Sequence, residues 1–511
     1  MEPQYLLGVD IGTSGSTGVI VDRELTLIDS VSVEHETVYP KQGWAEHDAN
    51  GVWWADFVSI TQQLLEGTNV EPDEIGGVGV SAIPPAMVPV DETGDPLRRA
   101  ILYGADTRSD EEIELLNDRL GEGRIYEVSG NSLTFQSVGP KILWYQRNEP
   151  EKFERTDTIL DATGYVVSQL TDEYTIDNAV AAFFHPLYDL STLEWDDEML
   201  DELDIGRDML PKPRWSTEIA GEVTDEAAAE TGLAAGTPVI VGTGDAQASQ
   251  ISVGAVEPGD AIFMYGTTGV IYTMLEEERT TPELWAFPHC VEGRYGLAGG
   301  MATSGAIVRW FRDQFGDSLD DRDAVGKARY SRLNAEASDI PPGSEGLMLL
   351  PYFSGERTPI NDESARGTIT GLTLSHTKFH LYRAVLEGIG YGFRHHVSAM
   401  DDAGFAIDRV RAIGGGARSD LWRQIVSDIT GVTQEYVSNP VGSPLGGAYL
   451  AGMGVGVFDD FDKLTESTDV ETVTTPDDSV VDIYDEYYSI YRDLYPQIRD
   501  SMHGLAQLGD E

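Results

Sequence analysis

Apolar and polar positions alternate in short blocks across residues 237–274, and this stretch sets the pattern for the chain. The apolar run 239–241 predicts a short buried strand. Gly242 and Gly244 interrupt the run, and Asp245 follows directly. A carboxylate just beyond the carboxyl end of a buried strand lies where α/β proteins place the groups of their binding sites. The pattern therefore makes Asp245 a candidate functional residue.

Two predicted β-hairpins, far apart in the sequence, share one arrangement. Residues 261–274 form an apolar run, a glycine-threonine turn at 266–269 and a second apolar run, which predicts a hairpin. Residues 6–21 repeat this order around a turn at 12–18. The backbone amides and hydroxyls of such turns can bind an anion, and phosphate is the natural choice. The repeat predicts two related halves that each contribute one phosphate-binding hairpin to a shared cleft.

Hydrophobic periodicity predicts further elements around these hairpins. Ser109 and Ser419 are typical N-cap residues of the helices that follow them, and Gly431 is a typical residue beyond a helix end. Tyrosines near the C-terminus recur at helical spacing, which predicts an amphipathic helix packed on the body of the protein. The expected strands and helices cover residues 25–34, 75–82, 110–120, 410–413, 420–430 and about 480–508.

Other nucleotide-binding motifs are absent from the sequence. It contains neither the Gly-x4-Gly-Lys-[Ser/Thr] phosphate-binding loop nor the His-Arg-Asp loop of protein kinases. Gly77 and Gly79 lie in a predicted strand, but two prolines follow where a dinucleotide-binding helix would begin. The sequence therefore disfavours those ATP-binding and dinucleotide-binding folds.

Length and charge restrict the class of protein. A chain of 511 residues is long enough for two or three domains with a large core. Its net charge of −54 comes from 88 acidic and 34 basic residues spread along the chain. Such a charge repels nucleic acid and anionic membranes, so neither is expected as a partner. The magnitude indicates a protein of an extreme halophile, in which concentrated salt screens the repulsion between carboxylates.

Cysteine usage and the absence of long apolar runs indicate a cytoplasmic protein. Cys290 is the only cysteine, so it cannot form an intrachain disulfide, and we expect it to be buried. No apolar run approaches 18 residues, and the N-terminal residues do not resemble a signal peptide.

Several longer motifs resemble the FGGY family of carbohydrate kinases, which belongs to the actin-like ATPase-domain superfamily. Residues 367–372 and 380–387, separated by seven residues, fit the second signature of that family at every defined position. Residues 141–148 fit part of the first signature, and residues 352–359 are similar to the xylulokinase-like branch. The resemblance extends from about Leu6 to about Met453.

The resemblance implies an α/β fold of two actin-like, ribonuclease H-like domains. Each would be a mixed sheet flanked by helices, with the ATP and sugar cleft between them. We expect the sugar-binding domain at 1–253 and the nucleotide-binding domain at 254–511, with a boundary near Val253. ATP, Mg²⁺ and a small sugar or sugar phosphate are the implied ligands. Family members often form dimers, so a homodimer is an open alternative to a monomer.

The resemblance also assigns roles to individual residues. Asp245 aligns with the family's catalytic aspartate, the base that accepts the proton of the attacking hydroxyl. Asp10 aligns with the aspartate that approaches Mg²⁺ through water. The implied nucleotide-binding residues are Gly12, Thr13, Ser14, Gly266, Thr267, Thr268, Gly305, Gly415 and Gly416. The implied substrate-binding residues are Asp10, Pro84, Pro85, Tyr103, Arg108 and Asp245.

Three departures from the family pattern concern the ligands. Thr17 stands where the family commonly has Lys or Arg, and Ala246 replaces a polar residue. Pro84 and Pro85 replace a Met-His pair of xylulokinases and cannot hydrogen-bond a sugar. We therefore expect phosphorylation of a primary hydroxyl on a pentose or pentose derivative held by other groups.

One candidate acceptor is ribose 1-phosphate, whose anion Arg108 could bind. The alternative is D-xylulose. A non-catalytic sugar sensor is a more remote alternative, because it would not need to retain Asp10, Asp245 and both turns.

Overall fold

The computed structural model of the chain describes residues 4–103, 106–316, 327–438 and 441–510. The strands are β1 Tyr5–Ile11, β2 Gly15–Asp22, β3 Leu27–Glu34, β4 Glu46–His47, β5 Ile75–Ala82, β6 Val88–Val90, β7 Ala100–Ile101, β8 Thr158–Leu160, β9 Thr175–Asp177, β10 Tyr188–Asp189, β11 Glu194–Trp195, β12 Lys212–Arg214, β13 Ile219–Glu222, β14 Pro238–Ile240, β15 Thr243–Gly244, β16 Asp260–Tyr265, β17 Gly269–Thr273, β18 Trp285–Pro288, β19 Tyr295–Met301, β20 Met348–Leu350, β21 Thr368–Thr370, β22 Arg409–Ile413, β23 Gln434–Val437 and β24 Val470–Thr474.

The helices are α1 Ala55–Gly67, α2 Asp110–Leu120, α3 Glu122–Ser129, α4 Val138–Asn148, α5 Pro150–Phe153, α6 Ala162–Thr171, α7 Asn178–Ala181, α8 Asp197–Leu203, α9 Asp225–Thr231, α10 Asp245–Ser252, α11 Gly305–Phe315, α12 Lys327–Ser338, α13 Lys378–Asp402, α14 Asp420–Thr430, α15 Ser443–Gly454, α16 Asp462–Ser467 and α17 Val481–Asp510.

The described residues form two compact units, and neither unit is continuous in sequence. The first unit takes its described residues from Met1–Pro258, Met274–Gly296 and Asn439–Thr468. The second takes them from Gly259–Thr273, Leu297–Ser438 and Asp469–Glu511. The sequence predicts one boundary near Val253, close to the end of the first long segment. Local patterns do not predict the two later returns of the chain to the first unit, because those returns depend on packing between distant residues.

The central sheet of the first unit has the strand order β13-β14-β5-β1-β2-β3, and β15 also pairs with β5. Strands β1 and β2 form the predicted antiparallel hairpin, whereas β1 and β5 run parallel. Successive side chains of β1 alternate between two cores: Leu7 and Val9 enter one, and Leu6 enters the other. This alternation is the period of two expected for a strand buried on both faces.

Helix α15 approaches the first sheet so closely that only glycines fit. A Cβ atom on Gly8 would lie 1.9 Å from the Pro444 carbonyl oxygen, and one on Gly79 would lie 2.0 Å from the Gly447 oxygen. A Cβ on Gly446 would meet the carbonyl oxygen of Ala248, which lies on α10. Gly79 is therefore required for helix–sheet packing, and these contacts hold α10 in place. Cys290 is buried in the same core, as predicted.

In the second unit, the sheet contains the strand order β19-β17-β16-β22-β23-β24. Strands β16 and β17 form the second predicted hairpin, and β16 pairs in parallel with β22. The two mixed sheets, each with flanking helices, confirm the predicted α/β fold class. Helix α17 is the predicted amphipathic C-terminal helix, and its Tyr484 and Tyr491 are buried.

In the part of the chain that the structure describes, no helix is both long enough and apolar enough to cross a membrane.

The net charge of −54 predicts that stability depends on salt. Many carboxylates are solvent-exposed even where they form ion pairs; the side chain of Glu198, for example, is 83% exposed. We expect the Tm to rise between ~0.1 M and ~1 M KCl, because the Debye length falls from about 10 Å to about 3 Å and self-repulsion weakens. Differential scanning calorimetry measures this change, with sucrose as a control that does not screen charge. A Tm that does not respond to KCl would contradict the halophilic interpretation.

Candidate active site

Three neighbouring strands of the first unit place polar side chains at one end of the sheet. Asp10 on β1 and Thr243 on β15 both pair with Ser81 on β5. The Ser81 hydroxyl donates a 2.7 Å hydrogen bond to Oδ1 of Asp10. Asp245 follows β15 directly as the first residue of α10. The strand-end position that the sequence predicts for Asp245 is therefore present, and Asp10 lies on a neighbouring strand of the same sheet.

The environment of these two carboxyl groups favours their protonated forms. Burial raises the pKa of Asp10, although the hydrogen bond from Ser81 opposes this shift. Burial also raises the pKa of Asp245, the negative charge of Asp10 raises it further, and the backbone amide of Ala246 opposes both effects. The two carboxyl groups are thus close enough for their charges to interact. A divalent cation would relieve this repulsion and favour ionisation of both groups.

Buried hydrogen bonds fix the segment that leads into Asp245. The Thr243 hydroxyl donates to Oδ2 of Asp177 at 2.6 Å. The carbonyl oxygen of Thr243 accepts a 2.9 Å bond from the hydroxyl of Thr163. Sequence analysis missed Asp177 and Thr163, because nothing in their local pattern relates them to a residue so far along the chain. Asp177 and Thr163 both bind Thr243, which lies two residues before Asp245, the candidate base.

Pro84 lies against the same segment. A Cβ atom on Gly244 would lie 2.6 Å from Cγ of Pro84 and 2.6 Å from Oε1 of Gln247. Gly244 is therefore required, since a side chain there would displace its neighbours. Pro85 is buried, whereas Pro84 is only partly buried. Pro84, which the sequence analysis assigned to the substrate site, therefore lies beside Gly244, the residue that precedes Asp245.

Side chains from other parts of the first unit form hydrogen bonds with the turn of the first hairpin. The Gly12 amide donates to the Gly15 carbonyl at 3.1 Å. The Thr37 hydroxyl donates to the Thr13 carbonyl at 2.9 Å, and a ring nitrogen of His35 lies 3.1 Å from the Gly12 carbonyl oxygen. The hydroxyls of Tyr103 and Thr13 lie 3.0 Å apart. The structure therefore brings together the predicted Tyr103 and Thr13, while sequence analysis missed His35 and Thr37.

Arg108 forms buried ion pairs with two carboxylates. Its Nε and Nη2 donate to the two oxygens of Asp106 at 2.8 and 2.5 Å, and its Nη1 donates to Glu46 at 2.9 Å. The guanidinium also lies 3.9 Å from the ring centroid of Trp44. These contacts balance the charge of Arg108 within the protein, so they do not support its predicted role in binding a substrate phosphate.

The second hairpin turn, in the second unit, is joined to the start of α11. The amide of Gly305 donates to the Gly266 carbonyl at 2.9 Å, and the amides of Ser304 and Ala306 donate to the Thr267 carbonyl. A Cβ on Gly305 would lie 2.5 Å from the Gly266 oxygen. Gly305 is therefore required for this junction, which fixes the turn while leaving Gly266 and Thr267 exposed.

A cavity of about 740 Å³ adjoins this turn. Its size is within the range of small-molecule sites in proteins. Five of the predicted nucleotide-binding residues line it, whereas Thr268 does not. The lining residues are Tyr265, Gly266, Thr267, Gly305, Val308, Arg309, Tyr330, Ser331, Asn334, Tyr382, Gly415, Gly416, Arg418, Ser419 and Trp422.

Aromatic and amide groups line the part of the cavity near α14. A Cβ on Gly415 would meet no atom within 4 Å, so this position is open, whereas Gly416 packs against the ring of Trp422. Asn334 donates to the Ser419 hydroxyl at 3.0 Å and accepts from the Tyr382 hydroxyl at 2.9 Å. Sequence analysis missed Asn334, Tyr382 and Trp422 as lining residues. Tyr382 lies within the second signature, which offered the only signal for it.

Among the described residues, no group of three or more His, Cys, Asp or Glu side chains could hold a metal ion. Mg²⁺ does not need such a cluster, because it retains several waters and uses one or two carboxylates. Asp10 and Asp245, whose charges interact, would provide one or two carboxylates of this kind.

Comparison with known proteins identifies the class of protein. The N-terminal domain of the FGGY family of carbohydrate kinases matches residues 5–252, and the C-terminal domain matches residues 261–455. The chain therefore belongs to the FGGY family of carbohydrate kinases, and it is an enzyme that transfers phosphate to an alcohol group. Sugar kinases of this family use ATP, so a sugar and ATP are its substrates.

Individual relatives cover almost the whole chain. The xylulose kinase of Staphylococcus epidermidis is 30% identical over 98% of this chain and 98% of its own length. The gluconokinase of Bacillus subtilis is 28% identical over 98% of this chain and 99% of its own length. The crystal structure of xylulose kinase from Rhodospirillum rubrum is 32% identical, with a TM-score of 0.90 over 98% of this chain and 100% of that one.

Proposed function

We propose that this carbohydrate kinase transfers the γ-phosphoryl group of ATP to a primary hydroxyl of a pentulose, with D-xylulose as the acceptor. The observation that carries the proposal is the similarity to xylulose kinases over nearly the full length of the chain. It favours the alternative in the sequence analysis over a pentose that already carries phosphate. The ion pairs of Arg108 with Asp106 and Glu46 also weaken the case for a phosphorylated acceptor, because Arg108 was the group expected to bind its phosphate.

Asp245 is the proposed general base. Its carboxylate accepts the proton of the attacking hydroxyl as the sugar oxygen forms a bond to the γ-phosphorus. The bond between that phosphorus and the bridging oxygen of ADP breaks, and ADP leaves with the electron pair. Asp245 then releases the proton to solvent. Because burial and the charge of Asp10 raise its pKa, the ionised Asp245 is a stronger base than an exposed carboxylate.

The cavity of the second unit is the proposed nucleotide site. Its aromatic side chains, among them Tyr330 and Trp422, offer surfaces for a base, and Arg309 and Arg418 offer positive charge. The exposed Gly266 and Thr267 add a backbone amide and a hydroxyl that can bind phosphate.

Mg²⁺ is the proposed cofactor, and Asp10 is the residue that would hold it through water. When bound, the ion would neutralise charge on the transferred phosphate. The raised pKa of Asp10 fits this assignment, because a buried, partly compensated carboxylate gains most from a cation.

Gluconate is the second candidate acceptor, because a gluconokinase is similar to the chain over almost its full length. Gluconate carries a carboxylate, so a site for it would need a positive partner. The two candidates therefore differ in the charge that the acceptor brings to a strongly acidic protein.

A substrate panel tests the proposal. We expect kcat/KM for D-xylulose to exceed the values for D-ribulose, D-gluconate, D-ribose and ribose 1-phosphate by at least tenfold, about 1.4 kcal/mol in transition-state binding. Sites that hydrogen-bond substrate hydroxyls discriminate strongly between sugars. Coupled ADP release in concentrated KCl gives the rates, and reactions without sugar give the background. A preference for gluconate would select the second candidate, and ADP release that no sugar stimulates would contradict both.

A further inference from the structure

Arg309 extends from α11 towards the second hairpin turn. It lies four residues after Gly305, one helical turn into α11. Its Nη2 donates a 3.1 Å hydrogen bond to the hydroxyl of Thr267. Both residues line the 740 Å³ cavity, and both are exposed to solvent. The guanidinium is therefore next to the hydroxyl of the turn that we propose as a phosphate-binding element.

The charge of the cavity is unusual for this protein. The chain has 88 acidic and 34 basic residues, yet the described residues that line the cavity include two arginines and no carboxylate. In the part of the chain that the structure describes, Arg309 pairs with no carboxylate, and its guanidinium donates to the neutral Thr267 hydroxyl. A positive group that pairs with no carboxylate among the described residues, in a strongly acidic protein, indicates an anionic ligand.

Neither hairpin turn carries a cation of its own. The turns at 12–18 and 266–269 contain no Lys or Arg. Thr17 stands where the family commonly has Lys or Arg. Its hydroxyl forms a hydrogen bond with the hydroxyl of Ser32, and the two oxygens lie 2.9 Å apart. The phosphates of ATP carry several negative charges, and guanidinium groups bind phosphate oxygens through paired, charge-assisted hydrogen bonds. The charge must therefore come from outside the turns.

We propose that Arg309 binds the terminal phosphates of the nucleotide and supplies the cation that the turn at 266–269 lacks. This inference rests on the proposed nucleotide site. Thr267 holds the guanidinium beside the turn before a ligand binds. The side chain of Arg309 therefore loses less conformational entropy when the nucleotide binds. Arg418 follows Gly416 in a short 3₁₀ turn, near Trp422, and is not assigned to the phosphates.

The effect of removing Arg309 must depend on the number of phosphates in the ligand. We expect Arg309→Gln to weaken ATP binding by about ten- to a hundredfold, the usual effect of losing hydrogen bonds to a charged group. Binding of AMP and adenosine should change less than about threefold, because they lack the terminal phosphates. We expect Arg309→Lys, which keeps the charge but loses the planar fork, to lie between the wild type and Arg309→Gln.

Isothermal titration calorimetry with ATP, ADP, AMP and adenosine at fixed KCl measures these affinities, and a Tm for each variant reports folding. Arg332→Gln is the matched control, because Arg332 is exposed on α12 and does not line the cavity, so the variant makes the same charge change. Unchanged ATP affinity in Arg309→Gln, or an equal loss for adenosine and ATP, would overturn the role of Arg309. A wild-type protein that binds no adenine nucleotide would instead overturn the proposed nucleotide site.

Discussion

Replacing Asp245 with asparagine is expected to lower kcat by at least ~10²-fold, the usual contribution of a general base. Asparagine keeps the size of the side chain but cannot accept the proton of the attacking hydroxyl. The nucleotide cavity belongs to the second unit and Asp245 to the first, so ATP affinity should stay within about threefold of the wild-type value. Steady-state ADP release with saturating sugar gives kcat, and calorimetry gives the affinity for ATP.

Stability separates this loss of activity from misfolding. The folded-state pKa of Asp245 is raised, so its ionised form is less favourable in the folded protein than in the unfolded chain. A neutral amide removes that cost at neutral pH, and Asp245→Asn should therefore be at least as stable as the wild type. Asp225→Asn is the matched control, because Asp225 is also the first residue of a helix but is exposed. Near-wild-type kcat in Asp245→Asn would remove this residue from the role of base.

The elements with local signals were predictable from the sequence. Both hairpins are marked by apolar runs on either side of a glycine-rich turn, and α14 has its Ser419 cap and terminal Gly431 as expected. The position of Asp245 followed from the same kind of signal, an apolar run broken by glycine. Such features depend on residues within one turn or one strand, so a single sequence contains them in full.

Features that depend on distant residues were not predictable. The return of α15 to the first unit explains why Gly8 and Gly79 cannot carry side chains, but the sequence gives no sign of which helix approaches them. Arg108 illustrates the same limit, because its charge suggested a phosphate ligand until its contacts with Asp106 and Glu46 were known. A single sequence shows that a charged group exists but does not show which partner it has in the fold.

Two residues of the second family signature, Gly371 and Glu387, occupy positions that the fold of the second unit requires. Gly371 has φ of +88°, a conformation that favours glycine, and a Cβ there would lie 2.0 Å from the Gly346 oxygen. Glu387, the last signature residue, is 1% exposed at the centre of a buried network. It accepts hydrogen bonds from Arg383 Nε at 2.8 Å, the Tyr484 hydroxyl at 3.0 Å, the Gly343 amide at 3.0 Å and the Ser344 hydroxyl at 2.7 Å.

These contacts make Glu387 the link between α13, the loop at 343–344 and the C-terminal helix α17. Glu387→Ala is expected to lower the free energy of unfolding of the second unit by about 3–5 kcal/mol, the usual cost of leaving one partner of a buried ion pair without the other. Arg383 would keep its charge in a buried site, and the donors from Ser344 and Tyr484 would lose their acceptor. Urea unfolding at constant KCl measures the change.

Asp485→Ala is the matched control for this experiment, because it also removes a carboxylate that pairs with an arginine of α13. Asp485 lies on α17, its side chain is 51% exposed, and its partner Arg394 also stacks on the ring of Tyr488. Exposed ion pairs contribute about 0–1 kcal/mol, so this variant should lose no more than that. Equal losses in the two variants would show that the buried contacts of Glu387 contribute no more to stability than an exposed ion pair. A large loss confined to Glu387→Ala would instead explain the signature by the stability of the unit that holds the nucleotide cavity.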